Sequence, residues 1–145
     1  MARQKIIFPF LLICFSANTS QAQSYADIER FEKEEKSCLD TSRAKTGCVV
    51  LFKKQMDSLL AVAYNGLLNT GTGSEREGIV KEQAAWLEQQ KEFNQRTDEQ
   101  YNLEVTEKDF GEIAATMVLS EKADFVRDRV KNLLERQKRS ARTAH

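Results

Sequence analysis

The side chains best suited to chemistry in this chain are three cysteines, Cys14, Cys38 and Cys48, and a single histidine, His145. A cysteine can act as a nucleophile and an imidazole as a general base, but both roles need a partner held within hydrogen-bonding distance. His145 is the last residue of the sequence, where no scaffold would hold it against a nucleophile. We therefore predict no catalytic residue.

Patterns that bind cofactors or metals are also missing from the sequence. The six glycines form no phosphate-binding loop after a strand, and no His, Cys, Asp or Glu cluster has the spacing of metal ligands. The 22 acidic side chains alternate with 22 basic ones at helix-surface spacing, as in an ion-paired exterior. We predict a protein that is not an enzyme and has no cofactor or metal. Carboxylates brought together only by folding are the one arrangement that the sequence does not reveal.

The first 22 residues have the pattern of an export signal. The positively charged MARQK is followed by the apolar run IIFPFLLICFSA and then by small residues at Ser20 and Ala22. We predict a signal peptide over 1–22, cut after Ala22, and a periplasmic or secreted location. The run is too short to span a bilayer comfortably, and no later segment is long and uncharged enough, so we predict no transmembrane span. Lipid attachment at Cys14 is disfavoured because the bulky Ile13 precedes it.

Export has two consequences for the rest of the chain. Removing 1–22 leaves 20 basic side chains against 22 acidic ones, a formal charge of −2. This balance favours no polyanion, and we predict no nucleic-acid partner. Export also leaves Cys38 and Cys48 in a compartment that favours oxidation. We predict a disulfide between them that stabilises the fold by about 2 to 3 kcal/mol; the alternative is two free, buried thiols.

The elements that position these residues are predicted to be helices. The chain has one proline and long segments rich in Glu, Lys, Gln, Leu and Ala. In the segment 48–68, apolar residues recur three and four positions apart and cover one broad face of a helix. They are Cys48, Leu51, Phe52, Met56, Leu59, Leu60, Ala63, Tyr64, Leu67 and Leu68. For 145 residues we expect one domain, an all-α small antiparallel bundle of about four helices with one disulfide.

Capping-box spacing predicts where the other helices begin. The pairs with this spacing are Ser24 with Asp27, Ser74 with Glu77, and Thr106 with Asp109. The first pair would open a short helix and the second a helix after a glycine-rich turn. The third would open a last helix that Ser120 can interrupt. The apolar side of the middle helix is predicted to hold Ile79, Gln83, Trp86, Leu87, Gln90, Phe93 and Tyr101, and that of the last Phe110, Ile113, Ala114, Met117, Val118, Ala123, Phe125, Val126, Val130, Leu133 and Leu134.

Two features of the sequence leave alternatives open, and a third marks the end of the fold. The turn-rich segment 39–47 is either a plain connector or a fixed loop that contacts a partner. Trp86 is either a core residue or a platform on which sugars or bases stack.

Residues 136–145 lose apolar periodicity and carry four basic residues without an acid. We predict a helical domain over 23–135 and a basic, disordered tail over 136–145, which contacts an anionic envelope surface or another protein.

The two cysteines are followed by residues with a distinctive order. These are Met56-Asp57, Ala63-Tyr64, Leu67, and Gln83-x-x-Trp86-Leu87. Together with the cysteines they resemble the N-terminal domain of the lysozyme inhibitor LprI family, small exported helical proteins of bacteria. That family has a third cysteine where this chain has Phe93, and its longer members have a fourth near Ser120 or Glu121. If those cysteines pair in relatives, both losses are coherent, since Phe93 can replace the link by burying apolar area.

The resemblance implies mostly structural roles for the matched residues. Tyr64 and Trp86 would fill the core between two long helices, and Asp57 would accept a hydrogen bond from Trp86 or Gln83. The family name implies a protein that binds and blocks a lysozyme-type muramidase. The contact residues of an inhibitor cannot be carried over, because the motif is the scaffold, so the interface is unassigned. The alternative is an envelope structural or adaptor protein that binds another protein through its helical surface or its basic tail.

Overall fold

The computed structural model describes residues 19–104 and 111–143 and contains four helices within them. They are α1 (Thr19–Thr41), α2 (Lys45–Thr70), α3 (Gly73–Glu104) and α4 (Gly111–Thr143). These described residues form no strand, and Cys38 is bonded to Cys48, so the predicted all-α bundle with one disulfide is confirmed. No helix in the described ranges combines the length and the apolar composition needed to cross a bilayer.

The predicted signal peptide lies largely outside the described residues. Of its residues only 19–22 are described, and their backbone forms the start of α1. This helix is longer than the sequence predicts, since it begins at Thr19 rather than at Ser24. Ser24 is buried within the helix instead of capping it. Nothing in the segment 19–23, TSQAQ, breaks a helix, and the capping-box spacing alone therefore misplaces the start.

The helix α2 supplies the central apolar face. Its buried residues recur three and four positions apart from Cys48 to Leu67, as the sequence predicts. Two details differ, because Val49 is fully buried whereas Leu51 is exposed. Both follow from the packing, in which α1 covers one side of α2 and α4 covers another. The buried face of α2 is therefore the predicted one, except that it is rotated around the helix axis toward Val49 and away from Leu51.

The main interface of the bundle joins α2 to α4, which run parallel to each other. Near the start of both helices, the hydroxyls of Thr46 and Thr116 share a hydrogen bond of 2.8 Å. Near the other end, Nε2 of Gln137 donates to the carbonyl oxygen of Ala63 at 2.6 Å. Helices that are consecutive in the chain run antiparallel, so the parallel pair lies in the middle with α1 and α3 on either side.

The helix α3 begins at Gly73, one residue before the predicted Ser74. The Glu75 carboxylate accepts hydrogen bonds from the backbone N–H and the hydroxyl of Thr72, at 2.8 and 2.7 Å. These bonds hold the pKa of Glu75 below its usual value. The capping interaction thus lies two residues before the predicted pair, Ser74 and Glu77. Both pairs have the same spacing, and the sequence pattern does not distinguish them.

The helix α4 is continuous from Gly111, and Ser120 does not interrupt it. The predicted start at Thr106 lies outside the described residues. The fully buried apolar residues of α4 are Ala123, Val126, Val130, Leu133 and Leu134. Ile113 and Met117, which the sequence places on the same apolar side, are instead 59% and 60% exposed. The helices described here leave that part of α4 uncovered.

The end of α4 corrects the predicted disordered tail, because residues 136–143 are helical. Gln137 is buried against α2, and Arg136 forms an ion pair with Glu82 of α3. Polar side chains with partners on two neighbouring helices hold this segment in place. Hydrophobic periodicity does not detect such contacts, which is why the prediction is wrong for these residues. Residues 144–145 lie outside the described part of the chain.

Candidate protein-binding site

The disulfide between Cys38 and Cys48 joins the last turn of α1 to the first turn of α2, with 5.8 Å between the two Cα atoms. Only three residues, 42–44, separate the two helices. The N–H of Ser42 donates to the carbonyl oxygen of Cys38 at 2.8 Å, and the N–H of Ala44 donates to Oγ of Ser42 at 3.0 Å. The turn is therefore held by a covalent bond and by hydrogen bonds.

This turn forms one wall of a groove at the end of the bundle, and the first two turns of α4 form the other wall. The groove has a volume of about 400 Å³. We call it the disulfide-end groove, and the residues that line it are Arg43, Lys45, Glu112, Ile113, Thr116 and Met117. The hydrogen bond between Thr46 and Thr116 ties the two walls together. Most of the segment 39–47 belongs to α1 and α2, and only residues 42–44 form a turn, so whether it contacts a partner stays a prediction.

The disulfide-end groove combines exposed apolar side chains with two exposed cations and one exposed carboxylate, that of Glu112. Arg43 and Lys45 are exposed, and Ile113 and Met117 lie across from them, each more than half exposed. Arginine and large apolar side chains on rigid supports supply much of the energy of protein interfaces, and methionine adapts to irregular surfaces. The groove contains no nucleophile with an adjacent base. Its side chains are suited to binding a partner that offers apolar and acidic groups.

The residues of the family motif lie away from this groove. Met56 is fully buried and Trp86 is 8% exposed, so Trp86 is a core residue rather than a stacking platform. Tyr64 packs against the core, whereas Leu87 is 49% exposed. Their positions are those of a scaffold and not of an interface.

Asp57 does not make the predicted hydrogen bond with Trp86 or Gln83. Its carboxylate accepts a hydrogen bond from Lys53 at 2.7 Å on the surface of α2. The prediction is wrong because α3, which carries both of the expected donors, packs mainly on α4 and barely touches α2.

Gln83 instead binds Arg129, a buried arginine of α4 that the sequence analysis missed. Nε and Nη2 of Arg129 donate to Oε1 of Gln83 at 3.2 and 3.0 Å, and Nη1 donates to Oε1 of Glu82 at 2.8 Å. The guanidinium carbon lies 5.7 Å from the centroid of the Trp86 ring. Burial raises the pKa of Glu82, but the hydrogen bond and charge of Arg129 and the charge of Arg136 outweigh it and leave the pKa below its usual value.

The signal for Arg129 was present in the sequence. Gln83 falls on the apolar side of its helix between Ile79 and Trp86, and Arg129 likewise lies three residues after the buried Val126 and four before the buried Leu133. A polar side chain on a buried face needs a buried partner. The two positions thus indicated that each residue needs a buried partner, but not which helix supplies it.

Phe93 stands where the family that the motif resembles has a cysteine, and it contacts α4. Its ring stacks on Phe125 with 4.5 Å between the centroids, and Trp86 also stacks on Phe125, at 5.6 Å. Phe125 lies one helical turn after Glu121, near the position that the resemblance assigns to the fourth cysteine. An aromatic contact thus joins the two helices close to where the resemblance expects a covalent link.

Carboxylates meet where α1 packs on α4, but cations accompany them. Burial raises the pKa of Glu35, and the nearby charge of Asp124 adds to the rise. Burial also raises the pKa of Asp124, against which Arg127 forms an ion pair of 2.6 Å. Lys131 binds Glu32 at 2.9 Å. In the described ranges, no group of three or more His, Cys, Asp or Glu is placed to hold a metal ion, and these charges hold α1 against α4.

A scan against protein-family models, a search of curated proteins and a search of solved structures each found no match. The family resemblance therefore rests on sequence motifs, over about residues 38–93 and more loosely over 110–134. The disulfide, the four-helix fold and the disulfide-end groove are observations that do not depend on it.

Proposed function

We propose that this chain is an exported, non-catalytic binding protein that inhibits a lysozyme-type muramidase by placing its disulfide-end groove against the enzyme. The observation that supports the proposal is Arg43, an exposed cation on the disulfide-held turn beside the exposed side chains of Ile113 and Met117. The choice of a muramidase among protein partners comes from the family resemblance, and the choice of the surface comes from the fold.

The chemistry of muramidases fits such a surface. These enzymes work with a pair of carboxylic side chains on either side of the scissile bond, inside a cleft. An inhibitor has to fill the cleft and compensate the ionised carboxylate, which a guanidinium does with directed hydrogen bonds. Because the turn that carries Arg43 is held by the disulfide, little conformational entropy is lost when it binds. The apolar side chains of the other wall would then cover the rim of the cleft.

The test is a cell-wall clearing assay with the purified, oxidised protein. Lysozymes of the chicken type, the goose type and a bacterial type are each assayed with and without an excess of the protein. We expect the rate to fall for at least one of them. If none is slowed at concentrations of about 1 to 10 μM, where even a modest protein complex forms, the muramidase is the wrong partner.

Two variants locate the surface on the protein. Arg43→Ala should weaken inhibition by about tenfold or more, the effect of losing a central arginine from an interface. Lys81→Ala is the control, because it removes an equally exposed cation near the start of α3, at the opposite end of the bundle. Equal inhibition by both variants would contradict the assignment of the groove. A co-purifying envelope protein that is sensitive to Arg43→Ala, without any effect on muramidases, would support the adaptor alternative.

A further inference from the structure

A second groove lies at the opposite end of the bundle, between the start of α1 and the last turns of α4. Its volume is about 340 Å³, and it is lined by Tyr25, Glu135, Lys138, Arg139 and Arg142. The three cations follow one another on one side of α4 and are all exposed. We call Lys138, Arg139 and Arg142 the basic face.

The groups around the basic face leave it positively charged. Arg139 lies 3.8 Å from the Glu135 carboxylate, and both side chains are about two-thirds exposed, so water screens this pair. The Tyr25 phenol stands beside the same two residues, and burial together with Glu135 raises its pKa, so it keeps its proton at neutral pH. The groove thus offers three cations and a hydroxyl donor against one carboxylate. Phosphate oxygens are the acceptors that suit such a set.

The surroundings favour a membrane surface over a protein as the source of those phosphates. Stable protein interfaces have a fully buried core that is more apolar than the rest of the protein surface. The large apolar side chains that are exposed in the described residues are Val50, Leu51, Val62, Val80, Leu87, Ile113 and Met117, and none of them lines this groove. Cations on long side chains without an anchor are typical of attraction to anionic lipid.

We infer that the basic face binds the headgroups of anionic lipids, so that the bundle rests on a membrane by the C-terminal end of α4. The inference does not depend on the proposed function. It places the two grooves at opposite ends of α4, with about 26 residues of helix between Thr116 and Arg142, or roughly 40 Å. A partner in the disulfide-end groove would be held away from the lipid surface.

The test is flotation of the full chain with vesicles of phosphatidylcholine alone or with about 30% phosphatidylglycerol, at low and high salt. We expect preferential binding to the anionic vesicles that is lost between about 0.05 and 0.5 M NaCl, because screening weakens the attraction. In the full chain the basic segment MARQK and the apolar run of residues 6–17 also contribute to binding, so the basic face is assigned by variants that share this segment unchanged.

Matched variants assign that difference to the basic face. Lys138→Gln, Arg139→Gln and Arg142→Gln combined should lower binding to anionic vesicles by roughly a hundredfold, at about fivefold per cation. The control removes the same charge from three other exposed lysines, Lys33, Lys36 and Lys54, and should lower binding only a few-fold. Circular dichroism and thermal midpoints establish that both variants fold. Equal losses in the two variants, or equal binding of the unaltered chain to both vesicle types, would overturn the inference.

Discussion

Gly66 of α2 is the position where one added methyl group tests the packing of α2 on α4. A Cβ atom built there would lie 2.5 Å from Nε2 of Gln137. That nitrogen donates to the carbonyl oxygen of Ala63 at 2.6 Å, and Gln137 is only 6% exposed. The substitution Gly66→Ala therefore forces the amide of Gln137 to move and breaks a hydrogen bond by which α4 reaches α2.

Two opposing effects set the size of the change. Replacing glycine by alanine inside a helix stabilises it by about 1 kcal/mol. Displacing a buried amide from its acceptor costs about 1 to 3 kcal/mol. We expect Gly66→Ala to lower the free energy of unfolding by about 1 kcal/mol. In a Gln137→Ala background the amide is gone and the methyl group has room, so the same substitution should raise the free energy of unfolding by about 1 kcal/mol.

Urea unfolding of the four proteins of this cycle, followed by circular dichroism, gives the coupling energy, which we expect to be about 2 kcal/mol. The matched control is Gly78→Ala in α3, where an added Cβ meets nothing within 4 Å. It should stabilise the protein in both backgrounds. If Gly66→Ala stabilises the unaltered protein as much as Gly78→Ala does, then Gln137 does not constrain position 66. That result would contradict the close approach of α2 and α4 described here.

Reduction of the disulfide should lower the free energy of unfolding by about 2 to 3 kcal/mol, because the bond between Cys38 and Cys48 closes a loop of 10 residues. Urea unfolding with and without dithiothreitol measures this, and no shift of the midpoint would show that the bond constrains nothing. Glu82→Gln should lower the free energy of unfolding by about 1 to 2 kcal/mol at neutral pH, because the buried Arg129 loses a counter-charge. The effect stays below that of a fully buried pair because Glu82 is partly exposed to water. The lowered pKa of Glu82 means that its contribution is present above the unfolded pKa of about 4.3 and is lost as the pH falls through the folded pKa. The free energies of unfolding of the unaltered protein and of Glu82→Gln should then become equal in acid. A difference between them that stays constant from neutral to acid pH would refute the ion pair of Glu82 with Arg129 as its source.

Local patterns predicted the parts of the fold that local physics determines. The spacing of Phe52, Met56, Leu59 and Ala63 follows the turn of a helix and is buried as predicted. The helix α2 ends at Thr70, where the glycine-rich sequence that follows cannot continue it. The disulfide followed from the number of cysteines and the expected compartment, without any knowledge of the fold.

Contacts between distant residues account for what the sequence did not reveal. Gln137 looked like a solvated polar residue, and the sequence named no partner for Arg129, because their acceptors lie 74 and 46 positions away on other helices. The disulfide-end groove was hidden for the same reason, since it joins Arg43 to Met117 across two helices. The sequence showed that α3 has an apolar side but not that this side packs on α4. The wrong prediction of a hydrogen bond from α3 to Asp57 of α2 follows from that. Partner choice among helices depends on the whole bundle, which periodicity in one helix does not encode.

The position of α4 in the chain affects how the protein is made. It touches each of the other three helices, and it is the last of the described helices to leave the ribosome. Until residues 111–143 emerge, the buried face of α2 lacks its principal cover, so the preceding residues cannot complete a core by themselves. The ten-residue cysteine loop needs no such help and can close as soon as both cysteines reach an oxidising compartment. A chain arranged in this way keeps the buried face of α2 largely uncovered until residues 111–143 are available, and its core then closes around α4.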